Sequence, residues 1–86
     1  MSVANKILNG RIEDILRACN VVDQNEQYTY TFERNSTNNE LIVTIYKRRE
    51  SGIRRRVLRD KIDLNDFDVT EDIKELELKL YELAKE

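Results

Sequence analysis

The amino-acid sequence predicts one α+β domain over residues 1–86, in which a helix, a three-stranded antiparallel meander and a second helix follow one another (αβββα) with both helices on one sheet face. Two observations predict this class. Apolar residues recur at spacings of three and four near both ends of the chain, as on one face of a helix. Between these segments apolar and polar residues alternate, as in half-buried strands.

The first helix is predicted from its apolar stripe. That stripe consists of Ala4, Leu8, Ile12, Ile15, Leu16 and Cys19. The spacing indicates a helix that ends near Asn20. Ser2 is a suitable N-cap, but Gly10 lowers helix propensity by about 1 kcal/mol relative to alanine, so Asn9 is an alternative start.

The first strand is predicted from Gln27 to Arg34. Its aromatic residues Tyr28, Tyr30 and Phe32 occupy every second position. They are expected to face the helices, while the residues between them face away. A hairpin loop should follow at residues 35–39, because this run is polar and asparagine tolerates the left-handed conformations that turns need.

The second strand, predicted from Leu41 to Arg48, is apolar on both faces and should be the central one. A turn at residues 50–52 leads to a third strand from Ile53 to Arg59. The connection from Asp60 to Asp68 is acidic. Three of its residues are apolar and are expected to pack against the core, namely Ile62, Leu64 and Phe67.

The last helix should begin at Asp68, because Asp68 and Glu71 have the spacing of a capping box. Its apolar stripe consists of Val69, Ile73, Leu76, Leu80 and Leu83. Leu78 and Tyr81 lie off that stripe. The sequence therefore leaves open whether the protein is a monomer or a homodimer that pairs through this helix.

Composition argues against catalysis and cofactor binding. The chain has no histidine, one cysteine and only two glycines, Gly10 and Gly52, which stand too far apart to form a phosphate-binding loop. Cys19 lies on the apolar stripe and is interpreted as a small buried hydrophobe. We therefore expect a non-enzymatic protein with no catalytic residues, no metal ligands and no cofactor.

Residues 66–70 spell the DxDxT pattern of phosphatases that form an aspartyl-phosphate. That chemistry requires the motif at the end of a buried parallel strand in a larger α/β domain, which this chain is too short to build. The same residues are better interpreted as the start of the last helix.

The order of the predicted elements also resembles that of the double-stranded-RNA-binding domain, over nearly the whole chain. This is a resemblance of topology. In that family a lysine-rich start of the second helix contacts phosphates, whereas this sequence has acidic residues there, at Asp66, Asp68, Glu71 and Asp72. The resemblance implies the fold, whereas the acidic residues at the start of the second helix argue against the phosphate contact.

No apolar run is long enough to span a membrane, and the first twenty residues lack the basic flank and apolar stretch of a secretion signal. We therefore expect a cytoplasmic protein that does not enter the membrane.

Charge is segregated along the chain. Between Lys47 and Lys61 the net charge is +6, and beyond Lys61 it is −6. The predicted partner-binding residues are Tyr46, Lys47, Arg48, Arg49, Arg54, Arg55, Arg56 and Arg59. They predict a small regulatory or inhibitory protein, of the kind that phages and mobile elements encode, which binds an acidic surface on a larger protein. Two alternatives remain: RNA or DNA binding through the hairpin from Lys47 to Arg59, and pairing of the arginines with the protein's own acidic helix.

Overall fold

The computed structural model describes residues 3–48, 52 and 54–85, and it confirms the predicted αβββα order in that part of the chain. The elements are α1 (Val3–Asp23), β1 (Tyr28–Asn35), β2 (Glu40–Lys47), β3 (Arg55–Asp63) and α2 (Val69–Ala84). Among the described residues, no helix combines the length with the hydropathy that crossing a membrane requires.

The sheet is antiparallel and has the order β1-β2-β3, so β2 is central as predicted. Its register places Ile45 between Tyr30 of β1 and Leu58 of β3. A bulge follows, because Tyr46 pairs with Arg56 and the intervening Val57 has no partner on β2.

Both helices pack on the sheet face that carries Tyr28, Tyr30 and Phe32, as expected. Leu41, Val43 and Ile45 of β2 share this face and are completely buried. From the helices the core receives Ile12, Ile15, Ala18, Cys19, Val22, Ile73, Leu76 and Leu80. We call this side of the sheet the covered face.

Helix α1 continues past the predicted end at Asn20 to Asp23, and the extra turn buries Val22. The helix passes through Gly10 without a break, so Asn9 is not its start, and the Ser2 cap lies outside the described residues. Leu16 is 36% exposed rather than part of the buried stripe. The buried stripe is narrower than predicted because, among the described elements, α1 packs against β1 and α2.

Two side-chain hydrogen bonds fix α1 against β1. The hydroxyl of Tyr30 donates to Asn20 Oδ1 at 2.7 Å, and Arg34 Nη1 donates to Asn9 Oδ1 at 3.1 Å. The hairpin loop between β1 and β2 forms as predicted. Asn35 Oδ1 accepts the backbone N–H groups of residues 37 and 38, and Asn39 adopts a left-handed φ of 53°.

The prediction for the chain beyond Arg59 was partly wrong. Strand β3 continues to Asp63 because residues 60–63 pair with residues 40–43 of β2, so Ile62 is buried within a strand rather than in a loop. Leu64 is buried as expected. Phe67 was expected to pack against the core, but it is 96% exposed, because it lies in the tight turn between Asp63 and α2, beyond the end of the sheet.

Helix α2 buries Ile73, Leu76 and Leu80, as its stripe predicts. The predicted capping box does not form. Asp68 is the N-cap, yet its side chain accepts no hydrogen bond from the helix. Its backbone conformation of φ −94° and ψ 19° differs from the extended conformation typical of a capping residue. Asp66 Oδ1 instead accepts the backbone N–H of Asp68 at 3.3 Å, which orders the turn before the helix.

Candidate functional site

The second side of the sheet carries side chains from all three strands, and among the described residues no helix packs against it. We call it the uncovered face. The register arranges it in four rows across β1, β2 and β3: Thr29, Tyr46 and Arg56; Thr31, Thr44 and Arg59; Glu33, Ile42 and Lys61; Asn35, Glu40 and Asp63. Successive rows are about 6–7 Å apart along the strands.

The first two rows form a basic region around Tyr46. Tyr46 is half-buried at the centre of this region, and Thr44 beside it is only 5% exposed. Arg56 and Arg59 on β3 are exposed. The bulge after Ile45 puts Arg56 rather than Val57 beside Tyr46, so Arg56 and Arg59 both point to the uncovered face on the β3 side of the central strand.

At the hairpin end of the same face, Thr29, Arg48, Gly52 and Arg54 line a cleft of about 270 Å³. Arg48 Nη2 lies 3.6 Å from Asp23 Oδ1, and half of the Arg48 side chain remains exposed. Gly52 has a φ of +81°, a conformation that favours glycine in the turn. Two guanidinium groups therefore border one small cleft next to the basic region.

The remaining predicted partner-binding residues divide between other places. Lys47 and Arg55 are opposite each other in the register of β2 and β3 and are exposed, but they lie at the end of the covered face. Arg49 lies outside the described residues. The structure thus brings Tyr46, Arg56 and Arg59 together and places Arg48 and Arg54 beside them.

Within the described part of the chain, no ion pair joins Arg54, Arg55, Arg56 or Arg59 to a carboxylate. The acidic helix α2 supplies no partner because it packs on the covered face, with its acids on the opposite side of the sheet from Arg56 and Arg59. Pairing of these arginines with the protein's own acidic helix is therefore not observed.

The opposite end of the uncovered face is acidic. Glu40 and Asp63 form its last row, and Lys61 Nζ pairs with Glu40 Oε1 at 3.1 Å. Arg59 precedes Asp63 by four residues on β3, a distance of about 13 Å. The positive region is therefore short and stops halfway along the sheet.

A groove of about 260 Å³ also runs between α1 and α2, lined by Arg11, Lys74, Glu77, Leu78 and Tyr81. Leu78 is 65% exposed and Tyr81 38% exposed, in line with their position off the apolar stripe. The structure describes a single copy of the chain. The choice between a monomer and a homodimer through α2 stays a prediction.

Two titratable groups among the described residues have a shifted pKa. Burial raises the pKa of the Cys19 thiol to about 12, so the thiolate that nucleophilic chemistry requires is scarce near neutral pH. Partial burial raises the pKa of Asp72 above its ordinary value, and the neighbouring carboxylates of Asp66, Glu75, Asp68 and Asp60 add to this. No group of three or more potential metal ligands occurs among the described residues.

Thr29 is a site residue that the sequence did not single out. Its Oγ1 is buried and has no hydrogen-bond partner, although the residue lines the cleft. Alternation along β1 predicts that Thr29 points away from the core. Only the pairing of Thr29 with Tyr46 places it beside Arg48 and Arg54.

No family model matches the chain, and neither the curated proteins nor the solved structures contain a significant match to it.

Proposed function

We propose that this protein is a non-enzymatic regulatory or inhibitory protein that binds an acidic surface on a larger protein through the basic region of its uncovered face. One observation carries the proposal: Arg54, Arg56 and Arg59 are exposed on or beside an open sheet face without an ion-pair partner among the described residues. Free guanidinium groups are available to carboxylates of another molecule, which they bind bidentately.

The composition of the region supports a protein interface. Tyrosine and arginine are enriched among the residues that contribute most to binding energy, and here Tyr46 lies beside Arg56, with Arg59 in the next row on the same neighbouring strand. Thr44 and Ile42 provide a flat, largely desolvated centre on the same strand. A central aromatic residue with a charged rim is the usual arrangement of such interfaces.

The charge distribution favours a protein partner over a nucleic acid. A nucleic-acid strand along the sheet would leave the basic region after two rows and approach Glu40 and Asp63. The protein as a whole has a net charge of −2, whereas nucleic-acid-binding domains are typically strongly basic. An acidic patch on a protein can match a short positive region without extending past it.

Nucleic-acid binding remains the second candidate because of Tyr46. The ring of Tyr46, beside Arg56, is able to stack on an unpaired base while the guanidinium groups of Arg56 and Arg59 bind phosphates. The same residues would carry this function, so one experiment separates the two.

A cytoplasmic location belongs to the same proposal.

The test is affinity capture from a lysate treated with nuclease, using the full chain on a resin. The double variant R56E/R59E removes the basic region, and K74E/K79E is the control because it changes the net charge equally at exposed residues of α2. We expect specific protein partners to be retained by the wild type and by the control, and to be lost with R56E/R59E. Circular dichroism should show that both variants fold.

Equal capture by R56E/R59E and the wild type would refute the proposal. A random single-stranded oligonucleotide forms the second arm, measured by fluorescence anisotropy as salt is raised. If the oligonucleotide binds the wild type, and proteins are captured from an untreated lysate but not from the nuclease-treated one, the nucleic-acid function replaces the protein-binding one.

A further inference from the structure

The described residues around the cleft at the hairpin end of the uncovered face carry a charge that one carboxylate would neutralise. Arg48 and Arg54 line it, and Asp23 is the carboxylate paired with Arg48 in the described part of the chain. Among the described residues, these two guanidinium groups and one carboxylate give a net charge of +1. A monoanion that enters the cleft neutralises this charge and offsets the repulsion between the two guanidinium groups.

The cleft also contains an unpartnered hydroxyl. Thr29 lines it, and Thr29 Oγ1 is buried without a hydrogen bond. A buried hydroxyl without a partner is unfavourable, so this position is expected to gain from an acceptor. Rotation about χ1 turns the hydroxyl toward the cleft, where the oxygen of a bound carboxylate would accept its hydrogen bond.

Volume and charge together select the ligand. About 270 Å³ accommodates a carboxylate with the short stem of an aspartate or glutamate side chain. A phosphate monoester carries a charge of about −1.5 to −2 at neutral pH and would leave the cleft negative. A single carboxylate is the better match to a net charge of +1.

We propose that the cleft formed by Thr29, Arg48, Gly52 and Arg54 is a subsite for one aspartate or glutamate side chain of the partner. This inference depends on the proposed function, since it assigns the partner a carboxylate that projects beyond the contact with Tyr46, Arg56 and Arg59. In this arrangement Arg54 and Arg48 bind the carboxylate oxygens, and the Thr29 hydroxyl donates to one of them.

The experiment is a titration of the full chain followed by amide NMR signals. The probe is N-acetyl-aspartyl amide, which carries one carboxylate, and the uncharged control is N-acetyl-asparaginyl amide. We expect the aspartyl probe to shift the signals of Thr29 and Gly52 saturably and the asparaginyl probe to leave them unchanged. In R54Q the dissociation constant should rise roughly tenfold or more, because a charge-assisted hydrogen bond is lost.

The matched control is R17Q, since Arg17 is an exposed arginine on α1 with an ion pair of its own to Asp14 at 3.3 Å. It should bind the aspartyl probe as the wild type does. Equal affinity in R54Q and the wild type overturns the inference, as does a shift that never saturates. Inorganic phosphate forms a separate arm, and saturation by phosphate without saturation by the aspartyl probe overturns the assignment to a carboxylate.

Failure of the subsite and failure of the proposed function give different results. If R56E/R59E abolishes protein capture while the aspartyl probe does not bind, the subsite is refuted and the proposed function stands. If capture is unaffected by R56E/R59E, the proposed function is refuted whatever the probe does.

Discussion

Replacing Thr29 with valine should stabilise the fold, because it removes a buried hydroxyl that has no hydrogen-bond partner and keeps the shape of the side chain. An unsatisfied buried polar group costs about 1–3 kcal/mol, and valine also has a slightly higher strand propensity than threonine. Since Thr29 is only partly buried as a residue, we take the lower end and expect a gain of about 1 kcal/mol.

For a domain of this size, a gain of about 1 kcal/mol raises the melting temperature by about 4–8 °C. The assay is thermal and urea unfolding followed by circular dichroism, with the slope of the urea transition unchanged if only stability changes. Thr31→Val is the matched control, because Thr31 lies two residues further on the same strand and face but is exposed. We expect it to change stability by less than about 0.5 kcal/mol.

A Thr29→Val variant no more stable than Thr31→Val would refute the expected gain in stability. The same variant also separates the effect of Thr29 on stability from its effect on binding. If the hydroxyl also donates to a bound carboxylate, Thr29→Val should weaken binding of the aspartyl probe although it stabilises the fold. If Thr29 has only a structural role, the variant should be more stable and bind the probe as the wild type does.

Cys19 is buried and its pKa is raised to about 12, so in the folded protein it should react slowly with maleimide near neutral pH and rapidly in denaturing urea. Mass spectrometry measures the labelling, and rapid labelling of the folded chain would contradict the expectation. Asp68→Ala should lower the free energy of unfolding by less than the ~1 kcal/mol typical of a lost N-cap. Asp66→Ala should lower it more than Asp68→Ala in urea unfolding, because Asp66 Oδ1 accepts the turn hydrogen bond. The folded-state pKa of Asp72 is raised above 3.8, so the folded state binds that proton more tightly and the group's contribution to stability falls as the pH rises from 3.8 through the folded pKa. Asp72→Asn should therefore flatten the pH dependence of the melting temperature in this window, and an unchanged profile would contradict the sign.

The local pattern was sufficient for the type and order of the elements. The three-four spacing of Ile73, Leu76 and Leu80 is enough to place α2, because a helix has to turn one stripe toward the core wherever that core lies. The two apolar faces of β2 were likewise enough to make it central, since only a strand with neighbours on both edges and a packed face buries so much of itself.

The extent of β3 and the exposure of Phe67 could not be predicted in the same way. An apolar residue in an acidic stretch was assigned to the core on hydrophobicity alone, yet Phe67 lies beyond the end of the sheet. Whether a residue reaches the core depends on where the strand ends, and that depends on pairing with β2, about twenty residues earlier in the chain.

The candidate site shows the same division. From its amino acids alone, this protein has a cluster of arginines, no histidine and a segregated charge, all of which are properties of composition and order along the chain. The tertiary structure decided that Arg56 and Arg59 lie next to Tyr46 and Thr44 on an uncovered face, that the acidic helix lies on the other side of the sheet, and that Thr29 joins Arg48 and Arg54 at one cleft. The physical reason is that strand register and helix packing bring together residues that are distant in sequence, and local periodicity contains no information about either.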